Sequence, residues 1–426
     1  MKKIQKNAFL LAMLIMMVSA IPVSDMLACT SVIVSGKATT SGKPMLYKNR
    51  DTKALDNAIA YFHGPRFDFI GLVNASAKPY DVWAGTNRAG FSIMNTASYN
   101  FKEDNLPDSV MDGEGKLMHM ALGCCATVAD FQNFLDTLAR PMGVEANFGV
   151  IDANGGAAYF EVNNTRYVKF DVNDTAVAPK GYRVVTNFCS TGRPEDARGV
   201  ERYETASAVM SELYLPDVTR CDIDHSFFFQ HLSRSYRHEK LGVDYDRNPS
   251  SLTEGGRTGY VVDLDFIPRR ITSSAIAIEG VVSGQNPLQT VMWAMVGYPA
   301  CTIAVPLFVG DADHIPSYLK CNGEKHHSVL CDLSLGIKDT YIFPDKVSNG
   351  TQYLRLDVVL NGADGKPALM DCCRKADRKV ETLFGEIYDK WTSGKMSDNQ
   401  FYAAYDALSR KFLDIFNDSF EPYLAR

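Results

Sequence analysis

The 426-residue chain is 46% hydrophobic and 22% charged, the balance of an ordinary globular protein rather than a disordered or fibrous one. Its 44 Lys and Arg against 50 Asp and Glu leave a formal charge of −6 with no basic cluster, which excludes nucleic acid as an expected partner. The length suits one large domain or two ordinary ones, and no repeat or low-complexity linker divides it.

The first residues read as an export leader. Lys2, Lys3 and Lys6 form a basic start, and Ala8 to Ala20 is an unbroken apolar core. That core has the length of a signal h-region and falls short of the roughly 20 residues a membrane span needs. No later segment is long and apolar enough to span. Val18-Ser19-Ala20 fits the small-x-small cleavage rule, whereas a cut after Ala28 would expose Cys29. The expected organisation is a leader with a possible short propeptide over 1–28, then one domain over 29–426 whose last part, about 365–426, is helical.

Residues 30–51 read as strand, turn, strand, with β-branched "TSVIV", turn-rich "SGKATTSGKP" and "MLYKNRD". Residues 81–100 repeat the theme around Gly85 and Gly90. The spacing of Leu117, Leu122, Val128, Phe131, Leu135 and Leu138 predicts a helix over 116–139. "ANFGVIDANGGAAYFEV" is a hairpin turning at Asn154-Gly155, and "RYVKFDV" and "YRVVTN" are expected to continue its sheet. Residues 195–213 and 222–236 look helical. Strands return at "SSAIAIEGVV", "TVMWAMV" and "CTIAVPLFV" before the helical tail. Blocks of strands alternate with blocks of helices without a βαβ rhythm, which predicts an α+β protein with largely antiparallel sheets.

Ten cysteines in an exported chain invite disulfides, yet none forms a C-x-x-C pair. The doublets Cys124-Cys125 and Cys372-Cys373 read as buried thiols. Cys321 and Cys331 flank His326 and His327 in a polar loop, where a disulfide is one reading and a metal site another. The G-x-S-x-G elbow, H-E-x-x-H, the Walker loop and G-x-G-x-x-G are all absent.

Cys29, which opens a β-strand behind the leader, has three possible uses: a lipid-attachment point, half of a disulfide, or a nucleophile made by cleavage. A cysteine at its free pKa is mostly protonated at neutral pH. Its own α-amino group, with a pKa of roughly 7.7–8, can take that proton once the cysteine leads the chain. For lipidation, Met26 and Leu27 stand where leucine and a small residue are wanted, and the polar "VSD" intervenes.

"CTSVIVSGKATTSGKPMLYKNRD", "GTNRAGFSIMN", "ANFGVIDANGGAAYFEV", "YRVVTNF", "ERYETA" and "MWAMVGYPACTIAVPLFV" occur in this order. In that, the chain resembles the N-terminal-nucleophile cysteine amidohydrolases. It is most similar to the acyl-coenzyme A:6-aminopenicillanic acid acyltransferase group, with cysteine dipeptidases and choloylglycine hydrolases as cousins. The resemblance covers residues 29 to about 341. It implies Cys29 as nucleophile with its freed amine as base, and Asp51 bonding that amine. It implies Lys48 in place of the family arginine beside the thiolate, unless Arg50 takes that part. Asn95 and Asn187 would supply the oxyanion hole, and Arg202 would brace the site. The same residues have plain structural uses: Asp51 and Asn187 as turn formers, Arg202 as a solvated helix residue.

The implied fold is a four-layer αββα sandwich of two antiparallel sheets. The implied activity is cleavage of a linear amide C–N bond through a thioester, with water or an amine taking the acyl group. The expected partner is a small amide or short peptide, with no metal and no organic cofactor, in the periplasm or outside the cell. A cysteine dipeptidase and a lipid-anchored binding protein are the alternatives.

Overall fold

The computed structural model describes residues 28–107, 110–215, 218–321, 327–346 and 350–424. The leader, the cleavage position after Ala20 and His326 lie outside the described residues.

Among the described residues, thirteen strands build two antiparallel sheets. The first sheet contains β1 (Ala28–Val34), β2 (Met45–Asp51), β10 (Tyr182–Val185), β11 (Thr272–Glu279), β12 (Val291–Val296) and β13 (Val305–Leu307), ordered β10-β1-β2-β11-β12-β13. The second is a seven-stranded meander: β3 (Asn57–Phe62), β4 (Phe69–Asn74), β5 (Ala84–Asn87), β6 (Ser92–Ala97), β7 (Ala146–Ile151), β8 (Ala157–Val162) and β9 (Tyr167–Asp171).

The strands are apolar nearly throughout because both of their faces are buried. On β8, Ala157 and Tyr159 join the core between the sheets, while Ala158, Phe160 and Val162 join a second core beneath helices. Tyr159 Oη donates to Ser31 Oγ on β1 at 3.0 Å, which fixes the two sheets face to face. They approach so closely that a Cβ on Gly149 would stand 2.9 Å from Ile33 Cδ1.

Helices α1 (Glu114–Cys124) and α2 (Val128–Thr137) cover the second sheet, burying Leu117, Met118, Leu122, Phe131 and Leu135 against Phe148 and Phe160. Helices α3 (Val200–Leu213), α4 (Leu369–Thr392) and α5 (Asp398–Leu424) cover the first, with Phe384 of α4 edge-on to Trp293 of β12 at 5.2 Å between ring centroids. The layers run αββα, the expected order. Two short ribbons, Arg237–His238 with Val243–Asp244 and Tyr260–Val262 with Tyr353–Arg355, lie outside these sheets. No helix among the described residues is long and apolar enough to cross a membrane.

Three local expectations are corrected, and one open alternative, a disulfide, is not formed. The helix expected over 116–139 is two, because Thr127 accepts from Asp130 N while Asp130 accepts from Thr127 N, a capping box that starts α2 afresh. The strand in "YRVVTN" leaves the meander and pairs with β1, Ser31 opposite Val185. The helix expected over 222–236 is a single capped turn, His225–Phe228, running into a wider π-type turn to Ser233. Cys321 and Cys331 are separate thiols, Cys321 donating to Ala75 O and Cys331 to Leu55 O.

Candidate active site

The site forms where β1 and β2 run side by side. Residues directly opposite in an antiparallel pair project to the same face. Cys29 lies opposite Arg50 and Ser31 opposite Lys48, so the thiol and two cations share the face turned toward the second sheet. Thr30, Asn49 and Asp51 project the other way, toward α3 and the loop before β11.

The second sheet supplies acceptors for both cations. Lys48 Nζ donates to Asn95 Oδ1 at 2.7 Å and to Trp83 O at 2.8 Å. Arg50 donates to Asn57 Oδ1 at 2.7 Å and to Asn74 Oδ1 at 2.8 Å, with its guanidinium 4.7 Å from the Trp83 ring centroid. Among the described residues, neither cation is bonded to a carboxylate. Burial lowers the Lys48 pKa to about 8, a shift that attraction to Cys29 opposes. Arg50 falls to about 10 for the same reasons in the same order. Both sequence candidates for the cation beside the sulfur therefore face Cys29.

The backbone of Cys29 is held from the opposite side. Its N–H donates to Asn187 Oδ1 at 2.7 Å, and Asn187 Nδ2 donates to Ala97 O at 2.8 Å. Arg202 of α3, only 2% exposed, donates to Cys29 O (2.6 Å), Thr30 Oγ1 (3.2 Å), Asn187 Oδ1 (3.0 Å) and Asp265 Oδ1 (3.2 Å). It is a buried hub and not a solvated helix residue. Gly199, at φ 72°, admits it, since a side chain there would run into the guanidinium.

Asp51 lies opposite Ala28 and accepts from Thr272 Oγ1 (2.6 Å), Arg269 Nε (2.9 Å) and Asn49 Nδ2 (3.1 Å). In the chain that still carries Ala28, the contact to the Cys29 nitrogen implied for Asp51 is made by Asn187. The physical reason is facing: the Asp51 carboxylate is drawn to Arg269 and Thr272, which sequence reasoning missed. Burial raises its pKa, and Arg269 and Arg202 pull it back. Asn187, implied as an oxyanion donor, has its amide committed on both sides. Asn95 is the reverse: Lys48 fixes its oxygen, and its Nδ2 makes no hydrogen bond among the described residues.

Outside this site, Asp56 and Asp332 sit 3.0 and 3.2 Å from one nitrogen of His327, an imidazole shared by two carboxylates.

No family model and no curated protein sequence matches the chain. Among solved structures, it is similar to the Caenorhabditis elegans ortholog of N-acylethanolamine-hydrolyzing acid amidase, at 16% identity and a TM-score of 0.40 over 61% of this chain and 93% of that one. It is also similar to a mutant conjugated bile acid hydrolase from Clostridium perfringens, at 11% identity and a TM-score of 0.38 over 66% and 92%. A third is penicillin V acylase from Agrobacterium tumefaciens, at 12% identity and a TM-score of 0.34 over 66% and 86%.

Proposed function

We propose that the mature chain is an exported N-terminal-nucleophile hydrolase, one domain from Cys29 onward, that cleaves a linear amide C–N bond. The observation that carries this reading is Cys29 itself, its sulfur facing two buried cations while its backbone nitrogen is anchored by a neutral acceptor, Asn187. Removal of residue 28 turns that nitrogen into a primary amine. An amine held by an amide oxygen, with Lys48 and Arg50 near, stays neutral more readily than one held by a carboxylate, and only the neutral amine is a base.

In the reaction, the amine takes the thiol proton and the sulfur attacks the acyl carbon. The carbonyl oxygen becomes an oxyanion, collapse expels the leaving amine with the proton returned to it, and a thioester remains on Cys29. Water, activated by the same amine, adds to the thioester and releases the carboxylic acid and the thiol. An amine in place of water would make the enzyme an acyltransferase. Asn95 Nδ2 is the side-chain donor for the oxyanion, and Arg202 positions Asn187 and the Cys29 carbonyl.

The decisive measurement is the intact mass of the exported, active protein. A terminus at Cys29 without added lipid supports the proposal. A terminus upstream of Cys29, or a diacylglycerol adduct there, removes it and leaves the binding-protein alternative.

Two further outcomes are expected. Asn95→Ala should lower kcat by about 10²–10³ with little change in KM, the usual loss for one oxyanion donor, read from steady-state cleavage of an acyl p-nitroanilide. Lys48 should shape the alkaline limb of the pH profile. Its pKa is depressed to about 8, so the ammonium is present below that pH and lost above it. The kcat/KM of the wild type should fall as pH rises through about 8. Lys48→Arg, which stays charged, should move that limb upward; an unmoved limb assigns it to another group.

A further inference from the structure

A cleft of about 660 Å³ is lined by Ala97, Tyr99, Lys102, Asp112, Glu114 and Glu145, among others. Its floor is one hydrogen bond from the site, because Ala97 O accepts from Asn187, which holds the Cys29 nitrogen. The start of α1 lies equally near: Gly115 O accepts from Val82 N at 3.2 Å, and the carbonyl of the next residue, Trp83, holds Lys48.

Glu114, the first residue of α1, is 4% exposed, lines this cleft, and its Oε2 finds no hydrogen-bond partner among the described residues. A buried carboxyl oxygen without a partner is costly and calls for an explanation. The cations nearby do not supply one. Lys48 is bonded to Asn95 and the Trp83 carbonyl. Arg193 pairs with Asp196 at 2.6 Å and donates to Lys102 O at 2.7 Å. Lys102 and Arg193 act electrostatically on Glu145, whose carboxylate also accepts from Phe101 N at 2.6 Å. Lys48 attracts Glu114 from a distance with its donors already committed, so Asp112 and Glu114 face each other and no cation is bonded to Glu114 among the described residues.

We infer that this cleft receives a primary ammonium group on the substrate, with Glu114 as its buried counter-charge and Asp112 beside it, so that the amide cleaved belongs to a peptide with a free N-terminal amine. An ammonium brings one positive charge and three donors, which is what an orphaned carboxylate oxygen and a neighbouring carboxylate can take. A purely apolar acyl group filling the same cleft would strip water from both acids and return nothing. In the empty cleft, burial and the nearby Asp112 hold Glu114 up to about 8, so it carries a proton at neutral pH until a cation arrives. The inference rests on the proposed amide hydrolase only for the fate of the bound peptide.

The test separates binding from turnover. Cys29→Ala protein is titrated calorimetrically at neutral pH with alanyl-alaninamide and with its N-acetyl counterpart. The free amine should bind at least about tenfold tighter. Adding Glu114→Gln should collapse that ratio toward one, with Glu114→Asp in between. Equal affinities, or no binding of either compound, overturn the inference. If Glu114→Gln fails to fold, the ratio in Cys29→Ala alone decides. Turnover distinguishes the two readings. Cys29-dependent cleavage of hexanoyl p-nitroanilide as fast as alanyl p-nitroanilide would discard the ammonium site and keep the hydrolase. A tenfold binding preference with neither amide cleaved would do the opposite.

Discussion

Cys29→Ala is expected to abolish amide cleavage, with a loss on the order of 10⁶ in kcat, the scale seen when a covalent nucleophile is removed. The fold should persist. The change removes one sulfur from a site that is 6% exposed, so the thermal midpoint should stay within about 4 °C of the wild type. To separate catalysis from leader removal, the gene should begin at residue 29 behind an initiator methionine that the host removes. Retaining Ala28 in an otherwise wild-type chain should then be as inactivating as the substitution, because the base is lost although the thiol is present. Activity with Ala28 in place would refute the terminal-amine mechanism.

Mutation is the better probe because alkylation would mislead. Burial pushes the Cys301, Cys331 and Cys373 thiols up to about 12 and raises Cys189 well above its ordinary value, so none competes as a nucleophile. Cys124 differs: its contact with the Cys125 thiol brings it down to about 7, and it is half-buried at the end of α1 on the outer layer. An alkylating reagent should therefore label Cys124 readily, so that a modified protein can retain activity. Cys124→Ala should leave cleavage intact while removing most of that labelling.

The residues that sequence reading brought together are those carried by single elements. Cys29, Lys48 and Asp51 lie on one hairpin, and the alternation of a strand already places Lys48 and Arg50 on one face and Asp51 on the other. What was not legible is non-local. Asp51 meets Arg269 and Thr272 only because β11 returns beside β2, Thr272 opposite Asp51. The crossing of "YRVV" to the first sheet depends on the same closure, since its apolar run reads identically in either sheet. Strands β3 and β4 went unassigned because "NAIAYF" and "FIGLVN" are short and flanked by polar loops. The α1–α2 break did have a local sign, Thr127 three residues before Asp130, overridden by helical spacing that runs through it. Glu114 had none, for its significance is an orphaned oxygen in a cleft that exists only once β6, β7 and α1 are assembled.

Arg202→Ala should have the largest effect on stability, and its consequences for catalysis can be told apart from unfolding. The guanidinium ties four acceptors from three stretches of chain: Cys29 O and Thr30 Oγ1 on β1, Asn187 Oδ1 after β10, and Asp265 Oδ1 before β11. Its removal strands the Cys29 carbonyl without that donor and leaves Arg269 as the cation between Asp51 and Asp265. Leaving the buried Cys29 carbonyl without its donor costs about 1–3 kcal/mol, which denaturant titration would register directly. Below the unfolding transition, kcat should fall with KM nearly unchanged if Arg202 acts only through the Asn187 amide and the Cys29 carbonyl that it bonds. Arg202→Lys should recover part of the stability and little of the rate, because one ammonium cannot span acceptors arranged for a planar fork. Gly199→Ala gives an independent check: its new methyl would press on the guanidinium from a backbone at φ 72°, so it should lower kcat with less loss of stability. If Arg202→Ala instead raises KM with kcat intact, the residue contacts substrate and the cleft has been placed on the wrong side of Cys29.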